Sequence, residues 1–244
     1  MPRPISAVDT EIYLFAHDFN WQEFDNGGRL LEESGIRYGL GGSVTFPIAD
    51  RVDLSLLLEG YIGDVDYDGG VISVDAFGSI QTSPLKSTTS YLGGRLEGLL
   101  SYKTGHPASG FAFDPFVGVG LHGWKRELGS RFGYDEYWQT LYVPVGIRLE
   151  GAMSPTSSWF ARAQVNIPLI TDESIRNLPG GGGTDLSPDA QLGLSAELGF
   201  QFNRMTIAGF YESYEFDASD PDLFGTFQPD SEARTIGVRL GYRF

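Results

Sequence analysis

The last stretch of the chain, Arg234–Phe244, reads R-T-I-G-V-R-L-G-Y-R-F, and it decides the fold. Apolar residues alternate in it with polar residues or glycine, and a period of two indicates a β-strand. One face of that strand carries Ile236, Val238, Leu240, Tyr242 and Phe244. The other face carries Thr235, Gly237, Arg239, Gly241 and Arg243. The first set suits lipid and the second suits a polar lumen.

The same alternation recurs along the whole chain. It lies near 11–24, 36–46, 52–62, 91–102, 113–122, 141–150, 159–167, 191–202 and 205–216. The connections are short near 47–51, 103–110, 153–158 and 203–204. They are longer near 25–33, 67–87, 126–134, 171–189 and 217–233. The pattern predicts an all-β fold, an antiparallel up-and-down transmembrane β-barrel of about ten strands, with short periplasmic turns and longer extracellular loops.

We expect residues 1–244 to form a single barrel domain in a bacterial outer membrane, with residues 1–10 as a short periplasmic segment. An even strand number leaves both termini in the periplasm. Because no run of about 18 apolar residues occurs, a helical span is excluded. The start lacks the apolar stretch of a secretory signal, so we expect a mature sequence with an added or retained Met1. The alternative is a soluble β-sandwich or lipocalin-like barrel, which would bury its apolar face inside.

Composition limits the function classes. The chain has 33 Gly, 17 Phe, 12 Tyr and 4 Trp, which suits tight strand packing and aromatic belts. It has no Cys, so disulfides, thiolate metal sites and a cysteine nucleophile are excluded. The formal net charge of −15 and the lack of a Lys/Arg cluster argue against binding to nucleic acid.

The terminal segment resembles the assembly signal of bacterial outer-membrane proteins, in which a final Phe follows alternating apolar residues. That resemblance implies the barrel-assembly machinery as a partner, and outer-membrane lipid and lipopolysaccharide as surroundings. In size and strand number the chain is similar to the omptin proteases and the Opa/Opc adhesins. Omptins use an acidic pair, which Asp64 and Asp66 resemble, together with an Asp-x-His pair. The segment around Asp172 and Glu173 has no histidine, so we expect no enzyme of this type.

The segment Asp64–Asp75 reads D-V-D-Y-D-G-G-V-I-S-V-D and fits the spacing of a calcium loop. Carboxylates at alternate positions can converge on a hard cation when a glycine permits a sharp turn. The predicted ligands are Asp64, Asp66, Asp68 and Asp75, with calcium as the one cofactor considered. The alternative is an acidic loop kept in solution by its charges. The histidines, His17, His106 and His122, show no spacing of a metal pair.

Charged residues on the predicted inner face are the main functional candidates. They are Arg37, Glu59, Arg95, Glu97, Arg148, Glu150, Arg162, Glu197 and Arg239. Mixed charges can pair across a narrow lumen and fill it, or they can line a narrow pore. The sequence therefore predicts either a largely plugged structural barrel or a narrow porin-like channel, without catalysis. A surface-binding, adhesin-type barrel with the calcium loop is the second hypothesis, and an outer-membrane hydrolase of omptin or lipid-A-modifying type is the third.

Overall fold

The segments predicted as strands are strands in the computed structural model, which describes residues 8–74, 80–105, 111–130, 133–178, 181–223 and 225–244. The strands in these ranges are β1 (Asp9–Asp25), β2 (Gly28–Ala49), β3 (Val52–Val74), β4 (Ile80–Tyr102), β5 (Ala112–Gly129), β6 (Asp135–Ser154), β7 (Ser157–Arg176), β8 (Gly183–Leu186), β9 (Asp189–Ala190), β10 (Gly193–Phe202), β11 (Met205–Asp217) and β12 (Asp230–Arg243). None of the described residues forms a helix long and apolar enough to cross a membrane.

The sheet closes on itself through its first and last strands. β1 pairs antiparallel with β2 on one side and with β12 on the other, from Glu11 opposite Arg243 to Phe24 opposite Asp230. Ten long strands complete the circle, because β7 pairs directly with β10. The short β8 and β9 extend the wall beside the outer parts of β7 and β11. The predicted all-β antiparallel barrel of ten strands is therefore confirmed.

The predicted division between the two faces of each strand is also confirmed. On β12, Ile236, Val238 and Leu240 are 54–65% exposed on the outside. Thr235 lies buried on the inner face. In the β10–β11 hairpin Phe202 pairs with Met205, which sets Met205 outward as expected. A soluble barrel with its apolar face inside is excluded by this arrangement.

The apolar outer band covers only part of each strand. On β3 it runs from Leu54 to Ile62 at alternate positions, and Asp64, Asp66 and Asp68 continue the same face. The band length matches the 9–11 residues that a strand needs to cross a bilayer. Since β3 has 23 residues, more than half of it lies outside the band. We call the part of the barrel beyond the apolar band, at the end opposite the chain termini, the extramembrane half.

Most of the predicted long loops are shorter in the structure, although twelve residues separate β11 from β12. The connection expected near 25–33 is a two-residue turn, in which Asn26 and Gly27 have φ of 49° and 76°. Positive φ at both positions is typical of a type I′ hairpin turn, which Asn-Gly favours. The connection expected near 67–87 is mostly strand, since β3 continues to Val74 and β4 begins at Ile80. Outside lipid the outer face becomes polar, and this change was taken for the end of the strand.

The chain termini differ slightly from the expectation for residues 1–10. Asp9 and Thr10 already belong to β1, and the carbonyl of Thr10 accepts a hydrogen bond from the Phe244 amide at 3.0 Å. The remainder of the predicted periplasmic segment, residues 1–7, lies outside the described residues. The first and last strands are therefore joined up to their ends.

The first strand alternates weakly in sequence because its inner face is aromatic. Tyr13, Phe15, Phe19 and Trp21 are all buried in the lumen. The rings fit because a glycine often stands opposite on the neighbouring strand. At Gly39 a methyl group would overlap the Phe15 ring. Large rings folded over glycines fill the interior without widening the barrel.

The position of the apolar band predicts how charges are tolerated on the outside. Leu240→Arg is expected to lower the free energy of unfolding in lipid vesicles by about 2–4 kcal/mol, since it brings a cation into the hydrocarbon. The control is Thr88→Arg, an exposed outward position of β4 in the extramembrane half. That change is expected to stay within about 0.5 kcal/mol. Equal losses in a urea titration would contradict the assigned band.

Candidate functional site

The interior of the barrel is the candidate site. The structure places the nine charged residues named from the sequence on inner faces of the strands, and eight of them form ion pairs there. Arg162 pairs with Glu97 at 2.9 Å, while Arg239–Glu197 and Arg148–Glu150 are both at 2.5 Å. Arg95 pairs with Glu59. The ninth, Arg37, is buried without a carboxylate partner among the described residues.

The first layer of the interior lies within the apolar band and is called here the lower network. Its arginines are Arg95, which pairs with both Glu59 and Glu212, and Arg162, which pairs with Glu97. Hydroxyl and amide donors complete the carboxylates: Tyr13 donates to Glu59 at 2.7 Å, Tyr142 to Glu97 at 2.8 Å, and Gln164 to Glu97 at 3.1 Å. Burying these charges is tolerable because each carboxylate is paired and hydrogen-bonded.

The second layer fills the extramembrane half, and we call it the extramembrane core. At its centre the Arg126 guanidinium binds three glutamates, with N–O distances of 2.9 Å to Glu23, 2.9 Å to Glu33 and 2.7 Å to Glu136. Tyr91 adds a hydrogen bond to Glu33 at 2.5 Å. All of these side chains are buried. A guanidinium with five N–H donors can satisfy several carboxylates at once, which fixes four strands to one point.

Aromatic rings close the lumen around that arginine. The rings of Trp124 and Trp138 are stacked, with centroids 5.4 Å apart and planes within 6°. Trp138 also packs on Trp21 at 5.4 Å and on Phe216 at 5.1 Å. Trp21 donates from its indole N–H to Glu23 at 2.9 Å. The rings and the ion cluster pack beside each other in the interior.

The extramembrane core was not predicted from the sequence. Glu33 and Arg126 stand in segments that were expected to be loops, and they meet across 93 residues of sequence. A signal was present. On β5 the inward residues at alternate positions run from His122 through Trp124 to Arg126. On β6 they run from Thr140 through Trp138 to Glu136. The alternation of inward residues, unlike that of outward residues, predicts that these segments are strands.

Glu173 is the exceptional carboxyl of the extramembrane core. It is 0% exposed, and neither of its oxygens has a hydrogen-bond partner among the described residues. It lies beyond the apolar band, since its neighbour Asp172 is an outward, exposed carboxylate. Burial, and after it the nearby carboxylates Glu136 and Glu23, raise the pKa of Glu173 to about 9, although Arg126 acts in the opposite direction. Glu173 is therefore protonated at neutral pH.

A cavity of about 90 Å³ lies between the lower network and the extramembrane core, and we call it the central cavity. Aromatic rings form much of its wall; they include Phe15, Phe19, Tyr61, Trp124 and Phe210. Both described histidines face it. His122 lies 4.9 Å from the Trp124 ring, and its Nε2 is 3.1 Å from the Tyr61 hydroxyl. His106 lies outside the described residues. The volume is sufficient for a few water molecules or a small ligand.

The predicted calcium loop does not have a loop conformation. Asp64, Asp66 and Asp68 stand at alternate positions of β3, all exposed on the outer face. Alternate residues of a strand are separated by about 6.6 Å, so these carboxylates spread along the strand and do not converge. Asp64 accepts a hydrogen bond from Ser90 at 2.7 Å, and Asp68 pairs with Lys86 at 3.0 Å.

The loop geometry was wrong because the spacing of a calcium loop is also the spacing of one strand face. Asp75, the fourth predicted ligand, lies outside the described residues. Within the described ranges, no three His, Asp or Glu side chains are grouped so that they could hold a metal ion. Calcium binding itself stays a prediction. The same outward direction separates Asp64 and Asp66 from the lumen.

Comparison with known proteins finds similarity of fold. The outer membrane protease OmpT from Escherichia coli matches over 97% of this chain and 96% of its own, at 7% identity and a TM-score of 0.59. The translocator domain of the autotransporter NalP from Neisseria meningitidis matches over 96% and 88%, at 14% identity and 0.43. A major outer membrane protein from Thermus thermophilus matches over 95% and 99%, at 12% identity and 0.39. No family model and no curated protein matches the sequence.

The raised pKa of Glu173 predicts a pH-dependent stability. Between its ordinary value of 4.5 and about 9, the folded barrel keeps a proton that the unfolded chain has released. The free energy of unfolding of the wild type therefore falls as the pH rises through this range. This loss is absent in Glu173→Gln. The free energy of unfolding of the variant is expected to equal that of the wild type near pH 4 and to exceed it by a few kcal/mol near pH 9.

Urea titrations in lipid vesicles at several pH values measure this difference. Asp172→Asn is the matched control, because it neutralises the adjacent carboxyl on the exposed outer face. It is expected to show little change with pH relative to the wild type. A Glu173→Gln difference that is constant from pH 4 to pH 9 would contradict the buried, protonated state.

Proposed function

We propose that this chain, which has the fold of the bacterial outer-membrane β-barrels, is a plugged barrel of that membrane that does not conduct solutes. Its function is then structural: a rigid wall element that carries a filled extramembrane half above the lipid. In the same proposal both termini face the periplasm, the terminal strand is recognised by the barrel-assembly machinery, and lipopolysaccharide surrounds the outer edge of the band.

The observation that carries the proposal is the extramembrane core. Arg126, bound to three buried glutamates, occupies the lumen together with the stacked Trp124 and Trp138. Opening this layer would separate a buried guanidinium from its carboxylates, which costs several kcal/mol for each unpaired charge. Such a layer is a permanent filling. A ten-stranded barrel is also far below the roughly sixteen strands that leave an open aqueous channel.

A narrow channel is the second candidate, and the central cavity favours it. Glu59 and Arg95 of the lower network are 13% and 15% exposed, so water reaches these charges. Charged groups lining a constriction select ions. In this alternative a rearrangement of the extramembrane core would be needed to connect the cavity with the outside.

Catalysis is not part of the proposal. The acidic pair that resembles the omptin site, Asp64 and Asp66, lies on the outer face of β3. Glu173 belongs to the segment that was compared with the Asp-x-His pair of omptins. Its side chain is turned inward, and its oxygens have no hydrogen-bond partner in the described part of the chain. Since these groups lie on opposite sides of the barrel wall, the arrangement supports a structural function more than a hydrolytic one.

Planar-bilayer conductance distinguishes the two candidates. The wild type is expected to be silent because the extramembrane core blocks the lumen. The double variant Arg126→Ser/Trp138→Gly is the positive control for insertion and recording. It removes the central ion cluster and one of the stacked rings, so it is expected to give open steps. Heat-modifiable migration on a gel shows that each variant is folded.

Open steps in the wild type would overturn the plugged barrel and support the narrow channel. In that case the ion selectivity of the steps is expected to change in Arg95→Gln and in Glu97→Gln, which remove charges of opposite sign. A silent wild type beside a conducting double variant supports the plug.

A further inference from the structure

Arg37 differs from the other arginines of the barrel interior. It is 5% exposed, yet no carboxylate oxygen of the described residues lies within 4.0 Å of its guanidinium. Its guanidinium carbon instead lies 3.6 Å from the centre of the Phe19 ring and 4.4 Å from that of Tyr61. A buried cation held by ring faces keeps part of its hydrogen-bonding capacity.

His17, which is a polar neighbour of Arg37 beside Tyr61, has a donor without an acceptor. The Arg37 Nε–H donates to Nε2 of His17 at 2.9 Å. Because that nitrogen accepts, the proton of the neutral imidazole is on Nδ1. Nδ1 of His17 is buried and has no partner within the described ranges. Arg37 and His17 together therefore carry one positive charge. The N–H on Nδ1 of His17 has no acceptor, and Nε2 of His17 already accepts from Arg37.

Two carboxylates that line the same cavity as Arg37 do not supply what is missing. Glu59 and Glu212 both bind Arg95, and Glu59 also accepts from Tyr13. Both belong to the lower network and are engaged there. His17, Arg37 and Tyr61 all line the central cavity, so a ligand held there would lie beside these residues.

We propose that the central cavity binds a small monovalent anion, a short carboxylate or an inorganic ion of similar size, with the Arg37 guanidinium as its main ligand. A guanidinium presents paired N–H donors that match a carboxylate. The cavity volume of about 90 Å³ limits the occupant to a few heavy atoms. This inference concerns a site inside the barrel and does not depend on whether the barrel conducts.

Iodide provides a direct test, because it is a small anion that quenches tryptophan fluorescence on contact and Trp124 lines the same cavity. Detergent-folded wild type is titrated with iodide at constant ionic strength. Quenching is expected to saturate, and acetate is expected to reverse it by competition. In Arg37→Gln the apparent affinity is expected to fall at least about tenfold, corresponding to about 1.4 kcal/mol.

Arg51→Gln is the matched control, since it makes the same charge change at an exposed turn and is expected to leave the titration unchanged. If Arg37→Gln does not fold, wild-type crystals soaked in bromide give an independent result. An anomalous peak beside the Arg37 guanidinium supports the site. Linear quenching that acetate does not affect, or bromide peaks elsewhere with none at Arg37, would overturn it.

Discussion

The closed ring of backbone hydrogen bonds is the constraint on which the rest of the structure depends. In hydrocarbon every peptide N–H and C=O must be satisfied within the protein, so a sheet can cross lipid only without free edges. The β1–β12 ladder, from Glu11 to Phe24, provides this closure. It also fixes the size of the interior, since ten strands enclose a narrow space. Every inward side chain must then be accommodated by the strands opposite.

Two physical solutions share that narrow interior. Within the lipid band, buried charges are matched in pairs, as in the lower network around Arg95 and Glu97. Beyond the band, the outer face is polar and the inner face is a packed core of tryptophans around Arg126, similar to the interior of a soluble protein. Arg37 and the central cavity lie at the boundary between the lower network and the extramembrane core. The pairing of charges is incomplete at that boundary.

The sequence predicted what depends on period two and missed what depends on contacts between distant strands. The outward phase of Ile236, Val238 and Leu240 follows from alternation alone, and it is confirmed. The cluster of Glu23, Glu33 and Glu136 around Arg126 joins four strands, and nothing local specifies it. Asp64, Asp66 and Asp68 were misassigned to a loop because their spacing is shared by a calcium motif and by one strand face.

The length of the β3–β4 hairpin has a consequence for what the extramembrane half presents. Val74 lies twelve residues beyond Ile62, the last apolar residue of the outer band on β3. At about 3.3 Å per residue and a typical barrel tilt, this raises the end of β3 about 30 Å above the hydrocarbon. That height exceeds the thickness of a lipid headgroup layer. In the proposed orientation, the first part that an approaching molecule meets is thus the end of this hairpin, and the filled lumen lies deep beneath it.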